Sequence, residues 1–389
     1  MSKNKKGESR KIRVHFRKNR SDKTRITDWT RKFDRENETP ADAVSSERIS
    51  GKGELVRRRT VIGEAAEPDS LDGQGFEVQP EIDLAKCRQG RVLRVFGLNS
   101  EVETEDGEIY SCVTRRILKT LATGQRHVVV AGDRVSFRPA DDGKTGRREG
   151  IIERVEARHG TISRTSRNRR HILVTNVDRM VIVSSAAEPR LKPNLIDRLI
   201  LTAERAGIQP ILCINKVDLV DIAELQPLLG TYAQLGYQVI PVSLVSGLGI
   251  SRLKRILTNQ ESVLTGQSGV GKSSLLNAIE PHWRLRVGEI SGETEKGRHT
   301  TTTAELLKLS FGGYVVDTPG IRQFMLWDVA PEEVTGFFRD IRPYENYCRF
   351  PDCTHTHEHD CAVKNAVADG KIDLRRYDSY LAIRKNDQA

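Results

Sequence analysis

The pattern of apolar and polar residues divides the chain into stretches of different character. Residues 1 to about 80 show no sustained apolar periodicity and are rich in charged residues, Ser, Gly and Thr. Such a composition offers too little apolar surface to offset the entropy cost of ordering the chain. We therefore predict a mostly disordered arm over residues 1–80.

Short strands with alternating polarity follow between Gln89 and about Ile162. They are predicted at Gly90–Val95, Val102–Glu108, around Ile109–Val113, and at Val128–Val130, Arg134–Phe137 and Gly150–Val155. Turn residues separate them at intervals of about ten residues, which is typical of small antiparallel barrels. We predict a β-barrel of the OB-fold type over residues 81–165. An SH3-like barrel and a two-sheet sandwich are alternatives, because the number of strands does not exclude them.

From about Thr175 the pattern changes to buried strands that alternate with amphipathic helices. Strands are predicted at Arg179–Ser184, Pro210–Ile214 and Tyr237–Val242, with helices at Pro193–Ala206 and around Leu225–Gly236. This alternation predicts a parallel sheet covered by helices. We assign it to an α/β domain over residues 166–330, followed by a small, mostly helical domain over residues 331–389.

The chain has 389 residues, which is enough for two or three domains. No apolar run approaches the roughly 18 residues that span a bilayer. Residues 1–20 are polar and basic, unlike a secretory signal. We therefore expect a cytoplasmic protein that contacts no membrane, and we expect it to be a monomer.

The formal net charge of +10 is concentrated at the amino terminus. Residues 1–35 hold 14 Lys and Arg against 4 Asp and Glu, whereas the remainder is balanced at 49 of each sign. A basic arm of this kind can neutralise the phosphates of a nucleic acid. The alternative is a solubilising tail or a segment added for expression.

The strongest motif is the sequence G-Q-S-G-V-G-K-S at residues 266–273, which matches the phosphate-binding loop G-x-x-x-x-G-K-[ST]. An apolar strand precedes it and a helical segment follows it, as the motif requires. The glycines allow backbone N–H groups to surround phosphates, and the amino end of the helix adds its positive dipole. Lys272 is predicted to contact the β- and γ-phosphates, and the Ser273 hydroxyl is predicted to coordinate Mg²⁺.

The sequence Asn215-Lys216-Val217-Asp218 directly follows a buried strand and indicates that the base is guanine. The carboxylate of Asp218 can accept hydrogen bonds from N1–H and the 2-amino group of guanine, which adenine cannot donate. Asn215 is predicted to tie the loop together, and the Lys216 stem to cover the ring. Ser243 lies in a segment that resembles the loop behind the guanine, although Leu244 stands where Ala is usual.

Two further segments are predicted to sense the γ-phosphate. Asp317-Thr318-Pro319-Gly320 fits D-x-x-G, so that Asp317 would hold Mg²⁺ through water and the Gly320 N–H would contact the γ-phosphate. In the polar loop 297–303, Thr302 is preferred over Thr301 for completing the Mg²⁺ shell.

The water-activating group is not supplied by the usual residue. Ile321 follows Gly320, where many GTPases have a Gln that orients the attacking water. We hypothesise that His299 takes this role, the alternative being an ordinary surface histidine. His299, Lys272 and Thr302 are thus the predicted catalytic residues.

The residues predicted to bind GTP form one set. They are Asn215, Lys216, Asp218, Ser243, Gly266, Gln267, Ser268, Gly269, Val270, Gly271, Lys272, Ser273, Ser274, Asp317 and Gly320. The guanine motif precedes the phosphate loop in this chain, whereas ordinary GTPases have the reverse order. The order therefore predicts a circularly permuted GTPase domain, which relocated termini allow.

Three of the six cysteines fall within fourteen residues near the carboxyl end. Cys348, Cys353, His355 and Cys361 provide three thiolates and one imidazole, the ligand set of a closed structural Zn²⁺ site. His357 and His359 are rival ligands, and free cysteines in a loop are the alternative to a metal site. The scattered cysteines, at positions 87, 112 and 213, are predicted to be small buried side chains.

From Gln89 to the carboxyl end, these motifs together resemble the RsgA (YjeQ/YloQ) family of circularly permuted GTPases. The motifs that carry the resemblance are NKVD, GQSGVGKSSLLNAI, GRHTTT, DTPGIRQF and the Cys/His cluster. The resemblance implies an OB-fold, a permuted GTPase domain and a carboxyl-terminal zinc domain. It further implies binding to the small ribosomal subunit and its rRNA late in maturation, activation of GTP hydrolysis to GDP by the subunit, and release on hydrolysis. The arm of about 80 residues is longer than the family leads us to expect.

Two other functional classes remain as alternatives. One is a GTP-dependent RNA-binding scaffold with little catalysis, which the missing Gln favours. The other is an RNA-modifying enzyme with an accessory GTPase domain, although the sequence has no second catalytic constellation.

Overall fold

The computed structural model describes residues 10–15, 58–65, 78–80, 82–121, 128–140, 148–166, 169–283, 285, 304–317 and 331–385. Within them the strands are β1 (Arg10–His15), β2 (Arg58–Ala65), β3 (Val78–Pro80), β4 (Arg88–Phe96), β5 (Asn99–Thr104), β6 (Ile109–Thr114), β7 (Arg134–Ala140), β8 (Glu149–Val155), β9 (Ile162–Ser166), β10 (Arg169–Val174), β11 (Arg179–Ser185), β12 (Gln209–Asn215), β13 (Gln238–Pro241), β14 (Glu261–Thr265), β15 (Glu305–Lys308) and β16 (Tyr314–Asp317).

The helices of the same residues are α1 (Arg116–Leu121), α2 (Pro193–Arg205), α3 (Ile222–Gln234), α4 (Ile250–Leu257), α5 (Lys272–Ile279), α6 (Val334–Phe337), α7 (Arg342–Glu345), α8 (Ala362–Ala368) and α9 (Leu374–Arg384). Among these residues, none of the helices combines the length and the apolar character needed to cross a membrane.

Strands β4 to β8 form a closed barrel with the order β4-β5-β6-β8-β7, and β7 pairs back with β4. All neighbours are antiparallel except β6 and β8, which run parallel. Its interior is filled by alternating side chains that include Val92, Tyr110 and Phe137. A five-stranded Greek-key barrel of this order is an OB-fold, so the predicted barrel is confirmed and the SH3-like and sandwich alternatives are excluded.

The strand predicted at Val128–Val130 is wrong. The β-branched run suggested a strand, but the Val130 N–H donates to the Asp133 carboxylate at 2.8 Å, which closes a turn instead. Asp133 is fully buried and also accepts two hydrogen bonds from Arg158 at 2.8 Å each. A buried ion pair thus determines the local backbone. The short helix α1 stands between the third and fourth barrel strands, where no helix was predicted.

Strands β1, β2 and β3 lie within the arm that was predicted to be mostly disordered. β1 pairs antiparallel with β2, and β2 pairs with β3. Regular structure therefore exists at these positions, where no strand was predicted. Short β-branched runs such as Thr60-Val61-Ile62 favour strands, but they are too short and too far apart to produce a periodic signal. The rest of residues 1–77 lies outside the described part of the chain.

The α/β domain contains a sheet with the order β13-β12-β11-β14-β16-β15. Every neighbouring pair is parallel except β16 and β15. Alternate side chains of β11 enter two cores, because Met180 and Ile182 pack with α2 and α3, whereas Val181 and Val183 pack with α4 and α5. The predicted parallel sheet covered by helices is confirmed. The pair Arg94 and Glu305 joins this sheet to barrel strand β4.

Helices α6 to α9 form the small carboxyl-terminal domain, which packs against α2 of the α/β domain. Arg376 of α9 is 3% exposed and bonds both carboxylate oxygens of Asp340 at 2.9 Å. Its third contact is Asp197 of α2 at 2.5 Å. Two buried carboxylates therefore meet one guanidinium, and burial raises the pKa of Asp197. The mostly helical character predicted for this domain is confirmed.

Candidate functional site

The phosphate-binding loop leaves the carboxyl end of β14, between neighbouring strands β11 and β16. Two of its glycines are required by close contacts. Gly266 has a positive φ of 143°, and a Cβ there would overlap the carbonyl oxygen of Val183. Gly271 has a φ of 93°, and a Cβ there would lie 2.5 Å from Nδ2 of Asn215. The backbone can therefore bend around a phosphate only because both positions lack side chains.

The middle of the loop faces outward. Ser268 and Gly269 are exposed and Gln267 is half-buried, whereas the Val270 side chain is buried in the core beneath the loop. Val270 thus anchors the loop from below, and the backbone of residues 267–269 remains accessible to a ligand.

Helix α5 begins at Lys272, at the end of the loop. The Lys272 ammonium donates to the carbonyl oxygens of Gly266 and Gln267 at 2.9 and 2.8 Å, so it lies across the mouth of the loop. Ser273 is 7% exposed and Ser274 is half-buried, both in the first turn of the helix. A cationic side chain, the N–H groups of a first helical turn and a hydroxyl therefore converge where a polyphosphate with Mg²⁺ could bind.

The guanine motif lies at the end of β12, two strands away from β14 in the same sheet. Asn215 is 1% exposed, and its Nδ2 donates to the carbonyl oxygen of Val270 at 2.8 Å. This bond joins the guanine loop to the phosphate loop. Lys216 has a left-handed φ of 59°, and the Asp218 side chain is exposed at the surface. The carboxylate of Asp218 is therefore accessible to a base.

Ser243 follows β13 and closes the neighbouring loop. It is buried, its hydroxyl accepts from the Ser246 N–H at 3.1 Å, and its own N–H donates to the Leu248 carbonyl oxygen at 3.1 Å. The Val217 N–H donates to the Val242 carbonyl oxygen, which holds this loop beside the guanine motif. The structure thus brings Ser243 to the site, but its side chain shapes the loop rather than facing outward.

One site segment was missed by sequence reasoning. The loop after β11 approaches the guanine motif, because Lys216 donates to the carbonyl oxygen of Glu188. The Ser185 hydroxyl donates to the same oxygen at 2.9 Å. The Cδ of Pro189 lies 3.7 Å from where a Cβ on Gly269 of the phosphate loop would stand. No motif marks this segment, and only the strand end before it could have indicated its place at the sheet edge.

Asp317 is the last residue of β16, next to the strand that carries the phosphate loop. Its backbone is therefore at the same sheet edge as the other motifs. His299, Thr302, Gly320 and the residue after it lie outside the described residues.

The four predicted metal ligands lie together in the carboxyl-terminal domain. One ligand atom from each of Cys348, Cys353, His355 and Cys361 lies within 4.8 Å of the others. Nδ1 of His355 is 3.4 Å from the sulfur atoms of Cys348 and Cys361. Three sulfur atoms and one imidazole nitrogen at this spacing fit a tetrahedral Zn²⁺ shell.

The surroundings of the cluster select His355 over its rivals. His355 is 1% exposed and has a left-handed φ of 58°, and its carbonyl oxygen accepts from the Tyr377 hydroxyl at 2.7 Å. His357 and His359 are exposed and lie outside the cluster. Among the other cysteines, Cys112 and Cys213 are buried as predicted, and Cys87 is half-buried.

The sheet order and the placement of the loops define a circularly permuted P-loop GTPase fold. Comparisons with known proteins agree with this class. The family model described as RsgA GTPase matches residues 155–327. A relative from Sodalis glossinidius, "Small ribosomal subunit biogenesis GTPase RsgA", is 38% identical over 303 residues, which cover 76% of this chain and 85% of the relative. A relative from Vibrio vulnificus, "Small ribosomal subunit biogenesis GTPase RsgA 1", is 39% identical over 305 residues, with coverages of 77% and 84%.

Two solved structures have the same architecture. YjeQ from Thermotoga maritima matches with a TM-score of 0.63 and 34% identity, covering 77% of this chain and 98% of that one. YloQ, described as a circularly permuted GTPase, matches with a TM-score of 0.60 and 30% identity. The match covers 77% of this chain and 94% of YloQ. The chain therefore belongs to the RsgA GTPase family and is a GTP hydrolase.

Proposed function

We propose that this GTPase binds the small ribosomal subunit late in its maturation, is activated by it, and leaves after hydrolysing GTP to GDP. The observation that carries the proposal is the shared name of relatives at 38–39% identity, each a small ribosomal subunit biogenesis GTPase. The permuted nucleotide site, the barrel and the Cys/His cluster of this chain are in keeping with that assignment.

We propose specific roles for the residues at the nucleotide site. Asp218 reads guanine, the Lys216 stem covers the ring, and Ser243 holds the adjoining loop. The phosphates contact the backbone of residues 266–271 and the first turn at residues 272–274. The accessible backbone of residues 267–269 and the position of the Lys272 ammonium support this assignment.

We propose that hydrolysis depends on Mg²⁺ and on residues of the two switch segments. Ser273 and Thr302 coordinate the ion, Asp317 holds it through water, and the Gly320 N–H contacts the γ-phosphate. His299 orients the attacking water in place of a Gln. The position of Asp317 at the end of β16, beside the phosphate-loop strand, supports this arrangement.

We propose one structural Zn²⁺ held by Cys348, Cys353, His355 and Cys361. The metal would stabilise a domain whose helices, apart from α9, have seven residues or fewer. The buried Nδ1 of His355 between two sulfur atoms supports this ligand set.

We further propose that rRNA is the contact on the subunit and that the chain acts as a cytoplasmic monomer. The basic arm, with 14 Lys and Arg among residues 1–35, supplies phosphate contacts together with the barrel. The working division of the chain is residues 1–80 for the arm, 81–165 for the barrel, 166–330 for the GTPase domain and 331–389 for the zinc domain.

The decisive experiment is the GTP turnover rate of the full chain with small subunits, with large subunits and without ribosomes. We expect marked stimulation by small subunits alone. Equal rates in all three conditions would reject the ribosomal assignment and leave the GTPase assignment intact. Turnover that is absent in all three conditions, with tight GTP binding, would instead favour a non-catalytic scaffold.

A further inference from the structure

The two proposed switch segments, residues 297–303 and 317–320, flank one hairpin in the sequence. Loop 297–303 precedes β15, and β16 ends at Asp317, the first residue of the D-x-x-G segment. β15 and β16 pair antiparallel, with Glu305 opposite Asp317 and Lys308 opposite Tyr314. A shift of this hairpin therefore moves the start of one switch segment and the end of the other together.

A barrel residue binds both strands of this hairpin. Glu103 lies on β5 and is 7% exposed. Its Oε1 accepts a hydrogen bond from the Lys308 ammonium at 2.6 Å, and its Oε2 accepts one from the Tyr314 hydroxyl at 2.7 Å. Each carboxylate oxygen thus holds one strand through a charge-assisted bond. The bond to Tyr314 is the better shielded of the two, because the Lys308 side chain is 56% exposed to solvent.

A second barrel residue extends the connection to the phosphate-loop strand. The guanidinium of Arg91 lies 4.6 Å from the centre of the Tyr314 ring and 2.5 Å from Oε1 of Glu261. Glu261 is the first residue of β14 and pairs in register with Tyr314. The barrel therefore contacts the hairpin and the strand that leads into the phosphate loop at the same level of the sheet.

A third contact lies near the threonine loop. Arg94 forms two hydrogen bonds of 2.7 Å with Glu101 of the barrel and lies 3.7 Å from Glu305 of β15. Arg94 and Glu305 are nearly half exposed, so this longer pair is weakened by solvent. Glu103 is the contact that matters most, because both of its bonds are short and its carboxylate is buried.

We propose that Glu103 couples the barrel to the hairpin between the two switch segments and positions this hairpin only in the stimulated state. A partner that seats on the barrel then changes the geometry at the γ-phosphate through Glu103, Lys308 and Tyr314. The identity of that partner, the small ribosomal subunit, rests on the proposed function, whereas the coupling between barrel and hairpin does not.

The first test compares basal and subunit-stimulated turnover in Glu103→Ala. We expect the stimulated rate to fall by about tenfold, in the range of typical coupling between sites, while basal kcat and the KM for GTP stay within about twofold. Glu153→Ala is the matched control, because Glu153 is an equally buried carboxylate of the barrel. Its partners, Arg115 and Arg138, belong to the barrel domain itself and not to the hairpin. Its stimulation should equal that of the wild type.

Two further variants separate coupling from folding. Glu103→Gln keeps an acceptor for Tyr314 but loses the ion pair, so its stimulation should be intermediate. The exchange Glu103→Lys with Lys308→Glu restores an opposite-charge pair and should recover stimulation that either single substitution loses. Basal and stimulated rates that fall in parallel in Glu103→Gln, without recovery in the exchange variant, would mean a merely structural role and overturn the proposal.

A second readout needs no ribosome. Hydrogen exchange of β5 should differ between the chain bound to GDP and the chain bound to a non-hydrolysable GTP analogue. In Glu103→Ala this difference should vanish from β5 while β15 and β16 still respond to the nucleotide. If subunits fail to stimulate the wild type, the proposed function fails, yet this measurement still decides the coupling. A nucleotide-dependent difference in β5 that survives Glu103→Ala would overturn it.

Discussion

Nδ2 of Asn215 donates a hydrogen bond of 2.8 Å to the carbonyl oxygen of Val270, so a buried side chain joins the guanine loop to the phosphate loop. The two loops are 55 residues apart in sequence and leave different strands of one sheet. The same amide also lies against Gly271, where a Cβ could not fit. The guanine motif and the phosphate-binding loop are therefore held in a defined position relative to each other.

We expect Asn215→Ala to weaken GDP and GTP binding equally, by about tenfold. The substitution leaves the Val270 carbonyl without its partner and loosens both loops, and one buried hydrogen bond corresponds to roughly that factor. Titration with a fluorescent nucleotide measures the effect. Asn194→Ala is the matched control, because Asn194 accepts from Ser379 of the carboxyl-terminal domain and forms no bond between the two loops. Unchanged affinity in Asn215→Ala would contradict the prediction.

Asp218 should determine the choice of base. Asp218→Asn replaces a carboxylate that accepts from N1–H and the 2-amino group of guanine, so the affinity for GTP should fall by about a hundredfold or more. The new amide can donate to the C2 carbonyl of xanthine, and xanthosine triphosphate should then bind better than GTP. Competition between the two nucleotides measures the preference.

Asp221→Asn is the control for this change. Asp221 lies three residues after Asp218 and caps α3 by accepting a hydrogen bond from the Ala223 N–H. It should cost some stability and leave the preference for GTP unaltered. A variant at position 218 that still prefers GTP would disprove the assigned role.

How far the sequence predicts this molecule depends on whether the signal is local. The motif at residues 266–273 required a strand, a loop and a helix, and β14 and α5 supply them. The turn at Val130 was misjudged because the Asp133 carboxylate that closes it is held by Arg158, which lies 25 residues further along the chain. β9 and β10 were likewise not predicted. Glu103 carries no sequence signal, because its partner Lys308 lies 205 residues away and only the docking of the barrel brings them together.

Removal of one ligand should abolish metal binding at the Cys/His cluster. His355→Ala is expected to lower the bound zinc from one ion per chain to almost none and to loosen the segment 348–361, because metal binding is coupled to the folding of the residues that supply the ligands. Elemental analysis and limited proteolysis measure the two effects. His357→Ala and His359→Ala are matched controls, since both side chains are exposed outside the cluster. Loss of zinc in either control with retention in His355→Ala would reverse the assignment.

Arg376 should carry the attachment of the carboxyl-terminal domain to the GTPase fold. Arg376→Met leaves the carboxylates of Asp197 and Asp340 buried without their cation, and such a loss costs about 3–5 kcal/mol. The neighbouring Arg375→Met removes an exposed pair with Asp373, which is worth about 1 kcal/mol or less. Chemical denaturation of the two variants should show this difference. Equal decreases in the free energy of unfolding in the two variants would mean that the buried contacts of Arg376 with Asp197 and Asp340 do not hold the domain in place.

Glu261 should give the stability of the chain a distinct pH dependence. Burial raises the pKa of Glu261 from 4.5 to about 7, and Asp178 adds to the rise, whereas Arg91 opposes it. Between these pH values the folded chain keeps a proton that the unfolded chain has released, so this group lowers the free energy of unfolding as the pH rises. This loss of stability is complete above pH 7 and absent below pH 4.5.

Glu261→Gln removes the titrating group but keeps its shape. Relative to the wild type, the variant should therefore gain stability between pH 4.5 and 7, by up to about 3 kcal/mol from the shift in pKa. Urea denaturation at several pH values measures the difference in the free energy of unfolding. If the difference in the free energy of unfolding stays constant across this range, Arg91 keeps Glu261 ionised in the folded chain. If the variant loses stability relative to the wild type as the pH rises, the predicted sign is wrong. The outcome also bears on the barrel, because Arg91 is the residue through which β4 contacts the strand of the phosphate loop.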